Sequence, residues 1–168
     1  RSEMMSIIDW RMSQCADKDV EFRFNVVADV PDIEALNPDV VIIATGGLPD
    51  TTLFEQKISL QHVVTSWDLI AGDAVTPEEN ILIYDESGDH PGLQAAEAAA
   101  TAGATVEVMT PDRTFAPGIM AMNLSPYMNA LQDRDVTFTV ARMLLNVDRA
   151  GNRLKATIGT DYSDYTTT

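Results

Sequence analysis

Residues Asn80 to Asp112 read NILIYDESGDHPGLQAAEAAATAGATVEVMTPD, and the fold class follows from this stretch. Ile81-Leu82-Ile83-Tyr84 is an apolar run short enough for a strand buried on both faces. A glycine-bearing turn runs from Asp85 to Gly92. The alanine-rich segment Leu93 to Ala102 is good helix material, and Gly103 stops it. Val106-Glu107-Val108-Met109 resumes strand character until Thr110-Pro111 ends it. Strand, glycine turn, helix and strand within about 30 residues make a βαβ unit of the dinucleotide-carrying kind.

The turn departs from the usual fingerprint. A pyrophosphate turn brings backbone N–H groups to the phosphates through glycines and keeps negative side chains away. Gly88 and Gly92 are present, but Asp85, Glu86 and Asp89 crowd the same turn. A helix N-terminus attracts an anion by about 0.3–1 kcal/mol, rising to about 2 kcal/mol in sheltered geometry. One carboxylate about 5 Å from a phosphate charge opposes it by roughly 3 kcal/mol at an effective dielectric of about 20. Repulsion wins unless a cation intervenes.

Upstream, Ser2 to Ala16 predicts a helix with Met5, Ile8, Met12 and Cys15 on one stripe, where Cys15 reads as a small buried hydrophobe. Val20 to Val26 alternates apolar and polar residues as a half-exposed strand does. Pro31 to Asn37 is a helical turn or loop. Val40-Val41-Ile42-Ile43-Ala44 is a second strand apolar on both sides, ending in Thr45-Gly46-Gly47. Regularity fades from Leu48 to Glu79. There Gln61 to Val64 is a strand candidate, and Thr65 to Ile70 a short helix capped by Thr65 or Ser66. Trp67 reads as a core anchor, with docking as the alternative for its indole. Downstream, Leu124 to Gln132 predicts a helix and Val136 to Thr139 a strand. Ala141 to Asp148 and Arg153 to Ile158 pair as a hairpin around Ala150-Gly151-Asn152.

The fold class is therefore α/β: a Rossmann-like three-layer unit with a parallel sheet, preceded by a second segment and closed by a β-hairpin. A chain of 168 residues can bury one good core or two small ones, and its 45% hydrophobic content is ordinary for a globular protein. No apolar run approaches the roughly 20 residues that span a bilayer. The net charge of −15 argues against nucleic acid and anionic membranes as partners. One cysteine builds neither a disulfide framework nor a four-thiolate metal site. A cytoplasmic setting is the default expectation. Arg1 without a preceding Met, and the end at Tyr165 to Thr168, predict a piece of something longer.

Three stretches in this order resemble one family: DVVIIATGG (Asp39–Gly47), VVTSWDLIAGD (Val63–Asp73) and the run from Ile81 to Arg113. The chain resembles the C-terminal region of flavin oxidoreductases related to trimethylamine dehydrogenase and 2,4-dienoyl-CoA reductase, in the old yellow enzyme superfamily. The resemblance implies an N-terminal (β/α)₈ barrel that holds FMN and does the chemistry, with a four-cysteine 4Fe–4S cluster at its end. A discontinuous FAD-domain-like unit would follow, with a smaller NAD(P)-domain-like unit inserted in it. On that basis residues 1–49 are a partial FAD- or ADP-domain segment, 50–149 the inserted Rossmann unit, and 150–168 the returning hairpin strand and tail. FMN and the cluster would then belong to the part outside this chain, and no bound cofactor is expected here. FAD or ADP belongs to the intact discontinuous domain. The expected partners are the other domains of the parent flavoenzyme and an electron-transfer protein.

Two places are candidate cofactor contacts, and no catalytic residue or metal ligand is assigned. Thr45, Gly46 and Gly47 either approach an adenine nucleotide through backbone or form a strand-ending turn. Gly88 and Gly92, with Asp112 about 20 residues on for a ribose hydroxyl, either bind NAD(P)H or persist as scaffold; Arg113 could meet a 2′-phosphate. His90 reads as a packing residue at the helix start, and His62 has no partner signal. No nucleophile–base pair emerges. Asp85-Glu86 at a strand end also fits a divalent-cation pocket, but the lysine such signalling domains need is absent, since Lys155 lies in the hairpin.

Overall fold

The computed structural model describes residues 5–51, 63–72 and 79–168. By contacts the chain divides into two units, Arg1–Gly46 and Gly47–Thr168.

The second unit holds the βαβ element and extends it. Strands β1 (Asn80–Tyr84), β2 (Thr105–Met109) and β3 (Val136–Thr139) form a parallel sheet in the order β1-β2-β3. Ile83 lies opposite Val108, and Val108 opposite Phe138. Helix α4 (His90–Ala102) crosses from β1 to β2, and α5 (Ala121–Leu131) from β2 to β3. This β1-α4-β2-α5-β3 chain has the topology of one half of a doubly wound fold.

Helix α4 starts at Asp89, whose carboxylate caps the first N–H, with Pro91 in the first turn where its missing donor costs nothing. It stops at Gly103, which takes the left-handed conformation at φ 97°. Between them Ala95, Ala96, Ala99 and Ala100 fall on one face, all buried. They pack in one core with Ile83, Val106 and Val108 from the sheet, Leu69 and Leu131. Burying Val106 and Val108 stabilises the unit by about 1.5–3 kcal/mol each. Leu69 comes from the short helix α3 (Ser66–Ala71), which opens on a reciprocal cap: the Asp68 N–H donates to Thr65 Oγ1, and the Thr65 N–H donates to Asp68 Oδ2.

The C-terminal residues form a separate antiparallel sheet of β4 (Met143–Ala150), β5 (Arg153–Thr160) and β6 (Ser163–Thr167). The hairpin expected around Gly151 is there. The third strand was not expected, because SDYTT has no apolar alternation to announce it. The fold is thus mixed α/β, a parallel and an antiparallel three-stranded sheet, as the Rossmann-plus-hairpin reading anticipated.

The first unit contains α1 (Met5–Ala16) and α2 (Val30–Glu34). None of its described residues is buried. Here two expectations are corrected: neither Val20 to Val26 nor Val40 to Ala44 forms a strand. A strand needs neighbours for its N–H and C=O groups, and the described residues of this unit offer none. The α1 stripe is likewise uncovered, with Met5 and Ile8 exposed and Cys15 half-buried.

Candidate functional site

Strand β1 delivers Asp85 to the C-terminal edge of the parallel sheet, where doubly wound folds take their ligands. The Asp85 N–H donates to Met109 O at 2.9 Å, continuing the ladder one residue past the strand. Its side chain turns inward and is 5% exposed. Asp85 Oδ1 accepts three hydrogen bonds: from the Ser87 N–H (3.0 Å), the Ser87 hydroxyl (2.8 Å) and the Gly88 N–H (3.1 Å). Ser87 Oγ accepts in turn from the Asp89 N–H at 3.3 Å, and Asp89 Oδ1 from the His90 N–H at 2.7 Å. Pro91 has no N–H to give. Each main-chain N–H from Ser87 to His90 is therefore satisfied by a side-chain oxygen of the turn itself.

The glycines are required by the protein's own packing. A Cβ on Gly92 would lie 2.6 Å from Asp85 Cγ and Oδ2, so the absent side chain leaves room for that carboxylate. Gly88, at φ 62°, would place a Cβ 2.8 Å from the Pro117 ring and 3.2 Å from Asp112 Oδ2. Gly118 closes the same contact, its N–H donating to Gly88 O at 2.8 Å. Asp112 thus reaches the turn, and its backbone carbonyl accepts from the Ala141 N–H at 2.8 Å. Arg113 points to the antiparallel sheet: its Nε donates to the Tyr162 hydroxyl at 2.9 Å, and its guanidinium lies 5.9 Å from that ring's centre.

The structure brings Gly88, Gly92 and Asp112 around Asp85 and the Pro117 loop. Thr45 and Gly46 belong to the first unit, and Gly47 begins the second. All three lie outside helix and strand, and a Cβ on Gly46 or Gly47 would meet nothing within 4 Å. Gly46 does take a positive φ, 69°. His90 sits in the first turn of α4, its Nδ1 2.9 Å from the hydroxyl of buried Tyr127 on α5. The Tyr84 hydroxyl donates to Glu86 Oε1 at 2.8 Å, and burial, aided by that carboxylate, pushes the phenol well above its ordinary range. Trp67 is 54% exposed, which corrects its reading as a core anchor: Leu69 fills the core instead. His62, with part of its strand candidate, lies outside the described residues.

Pro117, Ser87 and Tyr127 shape the turn and were not singled out from sequence. Serine two residues after a strand-end aspartate is an Asx-turn signal that could have flagged the first pair. Nothing in sequence ties Pro117 or Tyr127 to a turn so far away. Chemically, the Ser87 hydroxyl faces Asp85 while the His90 ring faces Tyr127, so the turn's hydroxyl and imidazole do not pair as nucleophile and base. Among the described residues, no group of three or more His, Cys, Asp or Glu could hold a metal ion, and no helix is long and apolar enough to cross a membrane.

No family model matches the chain. It is 59% identical over 162 residues to a probable N-methylproline demethylase of Rhizobium meliloti, covering 96% of this chain and 24% of that protein. It is 31% identical over 168 residues to the N,N-dimethylglycine/sarcosine dehydrogenase of Chromohalobacter salexigens, covering 97% of this chain and 24% of that one. Among solved structures, 2-naphthoyl-CoA reductase in complex with 2-naphthoyl-CoA aligns with a TM-score of 0.75 at 21% identity, over 94% of this chain and 22% of its own; this is a likeness of fold. The chain spans about a quarter of the length of the curated relatives it matches. The proteins matched over that quarter are named a demethylase and a dehydrogenase of N-methylated amino acids.

Proposed function

We propose that this chain is a non-catalytic, nucleotide-domain-shaped part of a longer flavin oxidoreductase that acts on a small N-methylated amine. Its role is scaffolding or docking of an electron-transfer partner, in a cytoplasmic enzyme. FMN and an iron–sulfur cluster would be held by polypeptide outside this chain, whose only cysteine is Cys15. The substrate class rests on the names of the relatives, an N-methylproline demethylase and a dimethylglycine/sarcosine dehydrogenase.

The observation that carries the reading is the self-satisfied turn. A diphosphate seated there would need amides that Asp85, Ser87 and Asp89 already hold, and would meet three carboxylates. The residues present do not fit that group. The alternative, a nicotinamide domain feeding electrons to flavin, draws on Asp112 beside Gly88, but Arg113 is engaged by Tyr162.

Calorimetric titration of the purified chain with NADH and NADPH separates the two. Silence up to millimolar cofactor is expected; micromolar binding overturns the proposal in favour of the nicotinamide domain.

A further inference from the structure

Two arginines at the C-terminal edge of the parallel sheet are held by one short piece of the antiparallel sheet. Arg113 follows β2 and Arg142 follows β3, and the two segments are laced together: the Ala141 N–H donates to Asp112 O at 2.8 Å and the Arg142 N–H to Thr110 O at 3.0 Å. The Tyr162 hydroxyl accepts from Arg113 Nε at 2.9 Å, and the Arg142 guanidinium lies 5.9 Å from the centre of the Tyr165 ring. At the end of β1, burial, then Glu86, then the charge of Asp161 raise the Tyr84 phenol, which places Asp161 beside that strand end. Residues 161–165 thus reach the C-terminal ends of all three parallel strands. In a chain of net charge −15, no carboxylate among the described residues pairs with either arginine. Tyrosine takes that place, through one hydroxyl and two ring faces.

We propose that residues 161–165 are a self-inhibitory strap. Docked, Tyr162 and Tyr165 keep the guanidiniums of Arg113 and Arg142 from a phosphate-type anion, and the same segment carries the negative charges of Asp161 and Asp164. Lifted, the strap leaves two planar cations, of the kind that bind phosphate oxygens in pairs, at the edge where doubly wound folds take ligands. The strap is lightly held. Tyr162 and Tyr165 are 60% and 53% exposed, where ring–cation attraction is weak. β6 is an edge strand, every residue of it exposed, and pairs with β5 alone among the described residues. Such a segment opens locally without unfolding the core. The anion expected here is a single phosphate, because the amides that a diphosphate needs are held by Asp85, Ser87 and Asp89.

Calorimetric titration with inorganic phosphate, at constant ionic strength, tests this on the whole chain. Wild type should give no heat up to about 10 mM, because its apparent affinity is reduced to the small fraction with the strap open. The doubly substituted Tyr162→Ala/Tyr165→Ala chain should bind with a dissociation constant on the order of 1 mM. Adding Arg113→Gln should weaken that binding at least about tenfold. No binding by the folded double variant, binding of equal strength by wild type, or indifference to Arg113→Gln overturns the proposal. A second measurement uses wild type and needs no variant to fold. Phosphate at about 100 mM should speed exchange of the β6 amides about tenfold or more over chloride at the same ionic strength, since a ligand of the open form raises its population. Equal rates overturn the strap. These readouts use phosphate and β6, whereas the NADH titration reads the turn, so either idea can fail without the other.

Discussion

The Asp85 carboxylate occupies the space that a side chain on Gly92 would need. The ideal Cβ position of Gly92 falls 2.6 Å from Asp85 Cγ, well inside van der Waals contact. Of the two readings open for Gly92, cofactor contact or scaffold, its missing side chain serves the scaffold here by admitting an aspartate from the preceding strand end.

Gly92→Ala should therefore destabilise the second unit by about 2 kcal/mol, through overpacking against a carboxylate that is held in place. A double-mutant cycle with Asp85→Ala isolates the clash. The alanine at 92 should cost clearly less in the Asp85→Ala background, giving a coupling of about 1 kcal/mol or more in urea unfolding. Strict additivity would contradict the contact.

Asp85→Ala alone should cost about 2–3 kcal/mol, since the Ser87 and Gly88 N–H groups lose their acceptor in a part-buried turn. Asp85→Asn keeps an acceptor oxygen and should cost less than about 1 kcal/mol. A comparable loss in both variants would mean that charge, not acceptance, holds the turn.

Gly88 and Gly151 share a positive φ, 62° and 64°, but differ in surroundings. Alanine at Gly151 meets nothing within 4 Å and should cost about 1 kcal/mol for the left-handed backbone alone. Alanine at Gly88 adds a 2.8 Å approach to the Pro117 ring and should cost about 3 kcal/mol. Thermal unfolding of the two variants side by side reads the difference as the contribution of the Pro117 contact.

The cap of α3 should fail in acid. Hydrogen bonds from the Thr65 side chain, then from its backbone, hold the Asp68 carboxyl below its usual range. A folded-state pKa below the unfolded value means the contribution is complete above the unfolded pKa and disappears as pH falls through the folded one. The difference in Tm between wild type and Asp68→Asn should be visible near neutrality and close as the pH falls below the ordinary carboxyl pKa of about 3.9 and through the lowered folded value. A constant difference would assign the effect to packing.

The second unit was legible where local signals agree with tertiary demand. The strand at Ile81, the alanine helix stopped by Gly103, the cap at Thr65 and the hairpin at Gly151 all declare themselves within a few residues. Reading failed where a segment's state depends on distant chain. Val40–Ala44 has strand composition but finds no ladder among the described residues, and Trp67 is left outside because Leu69 reaches the core first. The crowding of carboxylates at the turn was readable as an obstacle to phosphate. The Asx-turn spacing of Asp85 and Ser87 was a local cue to the bonded amides, but nothing local told that the Asp85 carboxylate would be tucked against Gly92 under the helix.

The seam between α4 and the sheet is made of the methyl groups of Ala95, Ala96, Ala99 and Ala100 in one core with Ile83, Val106 and Val108. The helix is held to the sheet by close apolar contact with no slack for a larger side chain. Any enlargement of those alanines is therefore felt at once, in the spacing between α4 and the strands beneath it.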